Sequence, residues 1–144
     1  MEIVHTSVMA EEVLAHLAPR REDSLLLDCT LGEGGHSEAF LSRFPRLRVA
    51  GLDADADILS RARERLAPFG DRFRGYNGWF DDFLKAYPLT ERPDRILLDL
   101  GISSYHYSRS GRGFSFRAGE PLDMRLSPGS GESAADIKIG RAHV

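Results

Sequence analysis

Apolar positions along this chain follow two alternating rhythms. Ala10, Val13, Leu14 and Leu17 recur at the spacing of one helical face, predicting a helix over 7–18 that Pro19 ends. Ser24-Leu25-Leu26-Leu27-Asp28-Cys29 is an almost unbroken apolar run, the pattern of a strand buried on both faces. A glycine-rich turn follows, Leu31-Gly32-Glu33-Gly34-Gly35-His36, and then a second amphipathic segment with Ser37, Phe40, Leu41 and Phe44 on one side. The alternation repeats with a strand over 47–52 ending in Asp53, and a helix over 55–66 that faces Ile58, Leu59, Ala62 and Leu66 inward. A weaker strand over 72–76, a short helix over 79–87 and an apolar strand within 93–100 complete the series at Gly101.

Strands alternating with helices imply βαβ units, hence an α/β fold with a parallel, doubly wound sheet and helices on both faces. Four strands make a small sheet of this kind. The strand of Ile96-Leu97-Leu98-Asp99-Leu100 belongs at the centre of such a sheet, paired with later strands. Without them the sheet is truncated after its fourth strand, and that strand is expected to form an exposed edge. From Gly101 to Gly131 the composition shifts to glycine, serine, arginine and proline. So long a loop is uncommon in a compact domain unless it is functional, and it leaves the tip of a core strand, where ligand-binding loops sit. The expected organisation is one partial domain over 1–136 with a substrate loop over 101–131. Residues 137–144 read as a non-native tail.

Composition narrows the class. With 144 residues, 42% hydrophobic and 28% charged, the chain resembles an ordinary globular domain. No stretch approaches the roughly 18 to 20 consecutive apolar residues of a membrane span, and the start, Met1-Glu2-Ile3-Val4-His5, does not resemble a signal peptide. The single Cys29 excludes an internal disulfide and a multi-cysteine metal site; no metal site is expected. The cytoplasm is the default compartment. A net charge of -3 does not advertise a nucleic-acid binder, yet Arg109, Arg112, Arg117 and Arg125 face only Glu120 and Asp123 within their stretch. That segment is either a phosphate-binding surface or a solvated loop.

The chemistry gathers at the strand ends. Glycines at a strand-to-helix turn let a ligand approach the backbone closely. The dinucleotide fingerprint would need a third glycine where Ser37 stands, which weakens a nicotinamide-dehydrogenase reading. Asp28, at the tip of the first strand, would repel a pyrophosphate and suits a ligand bearing an ammonium group. Asp53 can accept hydrogen bonds from the hydroxyls of a ribose, or can cap the following helix, for which Asp55 is better placed. Phe80 is either an apolar wall beside a base or a core residue. His36 either reaches a ligand or starts a helix facing solvent.

These residues fall in a recognisable order. His5-Thr6-Ser7-Val8, Asp28 through Ser37, Gly51-Leu52-Asp53-Ala54-Asp55, Leu97 through Ser104, Arg112-Gly113-Phe114-Ser115-Phe116 and Pro121-Leu122-Asp123-Met124-Arg125 together resemble the bacterial 16S rRNA cytosine-N4-methyltransferases. Six blocks in order over residues 5–136 are specific, and the last two carry most weight. The resemblance implies a Rossmann-like methyltransferase sheet, S-adenosylmethionine as cofactor, and a P-site cytosine of 16S rRNA in the small ribosomal subunit as target. It implies cofactor contacts at Gly34, Gly35, His36, Asp53, Phe80, Asp99 and His106. His106 stands where the family usually has glutamine, and Ser108 where aspartate is common. Family members are roughly twice this length, so turnover by this chain alone is not expected.

The reaction so implied transfers a methyl group from a sulfonium to an exocyclic amine whose lone pair is delocalised into the cytosine ring. It needs an acceptor for the amine hydrogen and a wall that aligns the base. Asp99, at the fourth strand tip, is the catalytic candidate, against the plainer role of accepting backbone amides of the next loop. The base must be unstacked to react, and Phe114 or Phe116 could stack on it or anchor the loop. Two other classes stay open: another enzyme on the same sheet, either a small-molecule methyltransferase or an NAD-dependent dehydrogenase, and a non-enzymatic half-domain that needs a partner chain. Oligomeric state is not legible.

Overall fold

The computed structural model describes residues 7–21, 24–87, 91–117, 119–129 and 131–137. Two compact units divide the chain, residues 1–101 and 102–144. In the first, helix α1 (Ala10–His16) precedes strand β1 (Leu25–Asp28), helix α2 (Gly35–Arg43), strand β2 (Arg48–Asp53) and helix α3 (Ala56–Leu66). A 3-10 turn over Ala67–Arg72 leads to strand β3 (Phe73–Asn77), helix α4 (Phe80–Ala86) and strand β4 (Arg95–Leu97). The strands form one sheet in the order β3-β2-β1-β4, and every pairing is parallel.

Strand side chains alternate between two apolar layers, as the pleat requires. Leu26, Val49 and Leu97 point to the layer filled by Phe40 and Leu41 of α2 and by Leu59, Ala62 and Leu66 of α3; Val13, Leu14 and Leu17 of the first helical segment pack against it. Leu25, Leu27, Ala50 and Leu52 point the other way, toward Phe80 and Phe83 of α4. Helices thus cover both faces, and the inward stripe expected of α3 is fully buried, with Ile58, Leu59, Ala62 and Leu66 each at or below 1% exposure. Arg72 closes the far end of α2 by donating to the carbonyl oxygens of Leu41, Phe44 and Leu47 at 3.0, 3.1 and 3.3 Å. Helix ends leave such carbonyls without intrahelical partners.

β4 is much shorter than the strand expected within 93–100. Its partner β1 ends where Asp28 pairs with Leu97. Beyond that point the β1 chain turns away, with Cys29 N–H donating to the Leu97 carbonyl at 3.0 Å. Leu98, Asp99 and Leu100 therefore have no neighbouring strand to continue the ladder. Ile96, Leu98 and Leu100 are 47%, 49% and 75% exposed, the apolar edge expected of an outer strand.

The second unit contains helices α5 (Ser104–Ser108) and α6 (Ala134–Ile137), so α5 interrupts the stretch read as continuous loop. Ser103 caps α5 by accepting from Tyr105 N–H at 3.2 Å. Of the tail expected over 137–144, Ile137 ends α6 and the rest lies outside the described residues.

Candidate functional site at the carboxyl ends of the strands

β1, β2 and β4 run parallel, so their carboxyl ends and the loops that follow open on one side of the sheet. Asp28 ends β1, Asp53 ends β2 and Asp99 follows β4. The glycine turn lies between the first two. Gly34 has φ of 80° and starts α2 in a left-handed conformation, which a side chain would strain. A Cβ there would also press to 3.0 Å from Leu66 Cδ1, and one at Gly35 would collide with Ser7 Oγ. Glycine at both positions is therefore demanded by the chain's own packing.

Asp53 holds the turn in shape. Its Oδ2 accepts from Gly32 N–H at 2.9 Å and its Oδ1 from Asp55 N–H at 2.8 Å. Asp55 itself caps α3, accepting from Asp57 N–H at 2.9 Å, so helix capping belongs to Asp55 and loop bracing to Asp53. Asn77 Nδ2 and Gly78 N–H both reach the Asp53 carbonyl, at 2.9 and 3.0 Å. The end of β3 is thereby tied to the end of β2.

Asp28 is 1% exposed. It accepts from Ser37 Oγ–H at 2.7 Å and from Thr30 N–H at 3.2 Å. Burial raises its carboxyl pKa from 3.8 to about 6; these two bonds oppose the rise, while the nearby charges of Asp53 and Asp99 add to it. Asp28 therefore feels the carboxylates of Asp53 and Asp99 at the same end of the sheet, a concentration of negative charge that repels anions. Burial, with the Asp28 charge, also raises the Cys29 thiol pKa. That disfavours the thiolate a nucleophilic cysteine needs.

Asp99 is held by its backbone, whose N–H donates to Thr30 Oγ1 at 2.7 Å. Its side chain is 52% exposed, and its Oδ2 lies 3.7 Å from Nε2 of His36, a residue only 11% exposed. Gly34, Gly35, His36, Asp53 and Asp99 are thus assembled in one unit. Phe80 starts α4, three residues past Asn77, and packs on the apolar layer of Leu25, Leu27, Cys29, Ala50 and Leu52. Of the two sequence alternatives for Phe80, the structure shows the core packing. His106 belongs to the second unit, where it is 4% exposed and edge-on to Phe114, with ring centroids 5.2 Å apart.

The roles of Thr30, Ser37 and Asn77 were not singled out in the sequence. Thr30 and Ser37 sit inside the Asp28–Ser37 block, but their partners are set by strand order. Asn77 carried the weak signal of a turn-forming residue at a strand end. Among the described residues, no group of three or more His, Cys, Asp or Glu side chains is placed to hold a metal ion, and no helix is long and apolar enough to cross a membrane. A separate cavity of about 220 Å³, lined by Leu25, Arg48, Tyr76, Phe83 and Tyr87 among others, lies toward the amino ends of the strands.

In the second unit the arginines divide. Arg112 is buried and donates to the carbonyls of Arg125 and Leu126 at 3.2 and 3.1 Å. Arg125 grips Asp123 through Nε–Oδ1 at 2.9 Å and Nη2–Oδ2 at 2.6 Å; this holds the Asp123 pKa down at about 2. Arg109 and Arg117 are exposed. Arg112 and Arg125, which the sequence places in one basic surface with the other two, thus bind carbonyl oxygens and a carboxylate of their own chain.

The fold has known counterparts. The C-terminal domain of precorrin-6Y C5,15-methyltransferase from Rhodobacter capsulatus superposes with a TM-score of 0.55 at 28% identity, over 66% of this chain and 50% of that one. The corresponding enzyme from Geobacter metallireducens gives 0.52 at 19% identity, over 65% and 51%, and speaks to fold alone. In sequence, the chain is 59% identical over 138 residues to ribosomal RNA small subunit methyltransferase H of Treponema denticola, covering 95% of this chain and 44% of that protein. Proteins of the same name are 49% identical in Borrelia turicatae, over 94% of this chain and 46% of theirs, and 47% identical in Leptospira interrogans, over 95% and 43%. The chain therefore spans less than half the length of these relatives. The MraW methylase family model matches residues 2–139, and the glycine turn, Asp53 and Asp99 all fall within that match; the chain belongs to the MraW methylase family.

Proposed function

We propose that this chain supplies the cofactor-binding part of an enzyme that methylates the exocyclic N4 of a P-site cytosine in 16S rRNA of the small ribosomal subunit, in the cytoplasm. The observation that carries the reading is the group of three carboxylates, Asp28, Asp53 and Asp99, at the carboxyl ends of the strands beside the glycine turn. Negative charge there fits a ligand with an ammonium and a sulfonium and no phosphate, which is S-adenosylmethionine, and it opposes the pyrophosphate of NAD. Relatives named as small-subunit rRNA methyltransferases support the RNA acceptor.

In this reading Gly34 and Gly35 offer backbone close to the cofactor, and Asp53 accepts from its ribose hydroxyls while still bracing Gly32. Phe80 walls the adenine, and His36 and Asp99 complete the contacts that the first unit makes. When bound, S-adenosylmethionine supplies an electrophilic methyl group. Asp99 accepts a hydrogen bond from the cytosine amine, which raises electron density on its nitrogen. Thr30, on the Asp99 backbone, and His36, beside its carboxylate, fix where that acceptor stands.

Calorimetric titration of the chain with S-adenosylmethionine and, separately, NAD tests the assignment, with Asp53→Ala as control and circular dichroism to follow folding. Saturable binding of S-adenosylmethionine alone, weakened by the substitution, is the expected result. NAD binding, or no binding of S-adenosylmethionine by the folded chain, would overturn it.

A further inference from the structure

We propose that Phe116 is the platform on which this chain seats an unstacked base of its RNA substrate, with Arg117 beside it contacting phosphate. Phe114, Arg112 and Arg125 take no part in binding and hold the platform in shape. The proposal rests on the RNA reading above and goes further, by dividing the aromatic and basic residues of one segment into those that touch RNA and those that do not.

Phe116 is fully exposed, at 110% of its reference area, the most exposed large apolar residue described. A phenylalanine in water forgoes the stabilisation that apolar burial gives. Its neighbour Phe114, two positions earlier, is half-buried and packs edge-on against buried His106. The alternation turns one ring into the unit and the other out of it.

The arc that carries Phe116 is pinned at its base. Gly113 has a left-handed backbone with φ of 75°, and a Cβ there would collide with the Pro121 carbonyl oxygen. Gly113 N–H donates to Glu120 Oε2 at 2.8 Å, so the two ends of the arc are fastened together. Met124 N–H donates to the Arg112 carbonyl at 2.8 Å, and Arg112 bridges to the Arg125 and Leu126 carbonyls. Within the arc, Arg117 N–H donates to Ser115 Oγ at 3.2 Å. A ring presented on a pinned arc loses little conformational freedom on binding.

Charge selects the partner. Glu120 is engaged by Gly113 N–H, and Asp123 is matched by Arg125. The charge next to Phe116 along the chain is the exposed Arg117. An aromatic ring beside an exposed guanidinium matches a single-stranded nucleic acid, which offers a base face and a phosphate together.

The test uses this chain and a fluorescently labelled single-stranded RNA dodecamer with a central cytosine, read by anisotropy over a salt series. Phe116→Ala is expected to weaken binding about tenfold without changing the salt slope, and its circular dichroism should match the parent's. Phe116→Trp is expected to keep the affinity, and its added emission, over that of Trp79, should be quenched by RNA. Arg117→Gln is expected to lower the salt slope by about 1. Binding by Phe116→Ala within twofold of the parent, or unquenched emission from Phe116→Trp, overturns this proposal while leaving the RNA reading in place. Failure of the parent itself to bind the RNA overturns both. Loss of self-association by Phe116→Ala, with RNA binding intact, overturns the proposal in favour of a protein contact.

Discussion

Nε2 of His36 lies 3.7 Å from Oδ2 of Asp99, although three strands and two helices separate the two along the chain. The pair joins the first turn of α2 to the segment leaving β4, the two places where cofactor and amine acceptor are proposed to meet. In the full-length enzyme, Asp99→Ala is expected to slow single-turnover methylation by about 10²–10⁴-fold, the usual contribution of a positioned acid–base group. His36→Gln should cost less, about tenfold, because Asp99 is also fixed through Thr30. A near-normal single-turnover rate for Asp99→Ala would remove that residue from the chemistry.

Asp28 makes stability depend on pH in an unusual direction. Its carboxyl pKa is about 6 in the folded chain against an ordinary 3.8. Below 3.8 the group is protonated in both folded and unfolded states and contributes no difference. As pH rises from there to 6, the unfolded chain gives up this proton while the folded chain still holds it, so stability is lost. Above 6 the full penalty is present, on the order of 3 kcal/mol. Urea unfolding of Asp28→Asn and parent at pH 4 and pH 7 should show the difference between them move by about that much in favour of asparagine. A difference independent of pH would mean that Asp28 titrates normally.

The glycine turn tolerates no added carbon at its left-handed position. Gly34→Ala places a Cβ 3.0 Å from Leu66 Cδ1 at φ of 80°. Left-handed backbone alone costs a residue with a side chain about 1–2 kcal/mol. A drop in thermal midpoint is expected together with weaker S-adenosylmethionine binding. Gly70→Ala serves as control, since φ there is 54° but nothing lies within 4 Å; it should lose stability without losing the ligand.

Arg112 is expected to behave as a structural residue. Arg112→Met leaves the Arg125 and Leu126 carbonyls without their guanidinium donor, a loss of about 1–3 kcal/mol for buried polar groups. Hydrogen exchange should accelerate over residues 112–126, while the salt slope of RNA binding stays that of the parent. A slope reduced by about 1, with exchange unchanged, would instead make Arg112 a phosphate contact.

Much of the first unit was legible because burial writes a period into a sequence. α3 needed an apolar residue wherever its surface met the sheet, and Ile58, Leu59, Ala62 and Leu66 mark those positions. β1 lies between β2 and β4 with both faces covered, so Leu25, Leu26 and Leu27 run without a polar break. The ends of β1 and β2 were legible for the same reason: Asp28 and Asp53 are the first charges after those apolar runs. β4 was overread. Its apolar run continues to Leu100, but the ladder stops at Leu97 because β1 stops at Asp28.

The arginine segment shows the limit of reading charge from sequence. Arg112 and Arg117 look alike in a basic stretch, yet one is buried against backbone carbonyls and the other exposed. Nothing local separates them; the separation depends on where residues 121–126 fold back.

The sequence by itself determined the alternation of strands and helices, the faces they bury, the glycine turn and the acidic strand ends, since each follows from local period or residue type. Tertiary structure alone decided that β4 lies against β1. That adjacency places Asp99 beside Thr30 and His36, gives Asp28 the charge of Asp99, and leaves Ile96, Leu98 and Leu100 on an edge. The physical reason is distance: hydrogen bonds and charges act over a few ångströms in space, and only the order of strands in the sheet converts separation along the chain into such proximity.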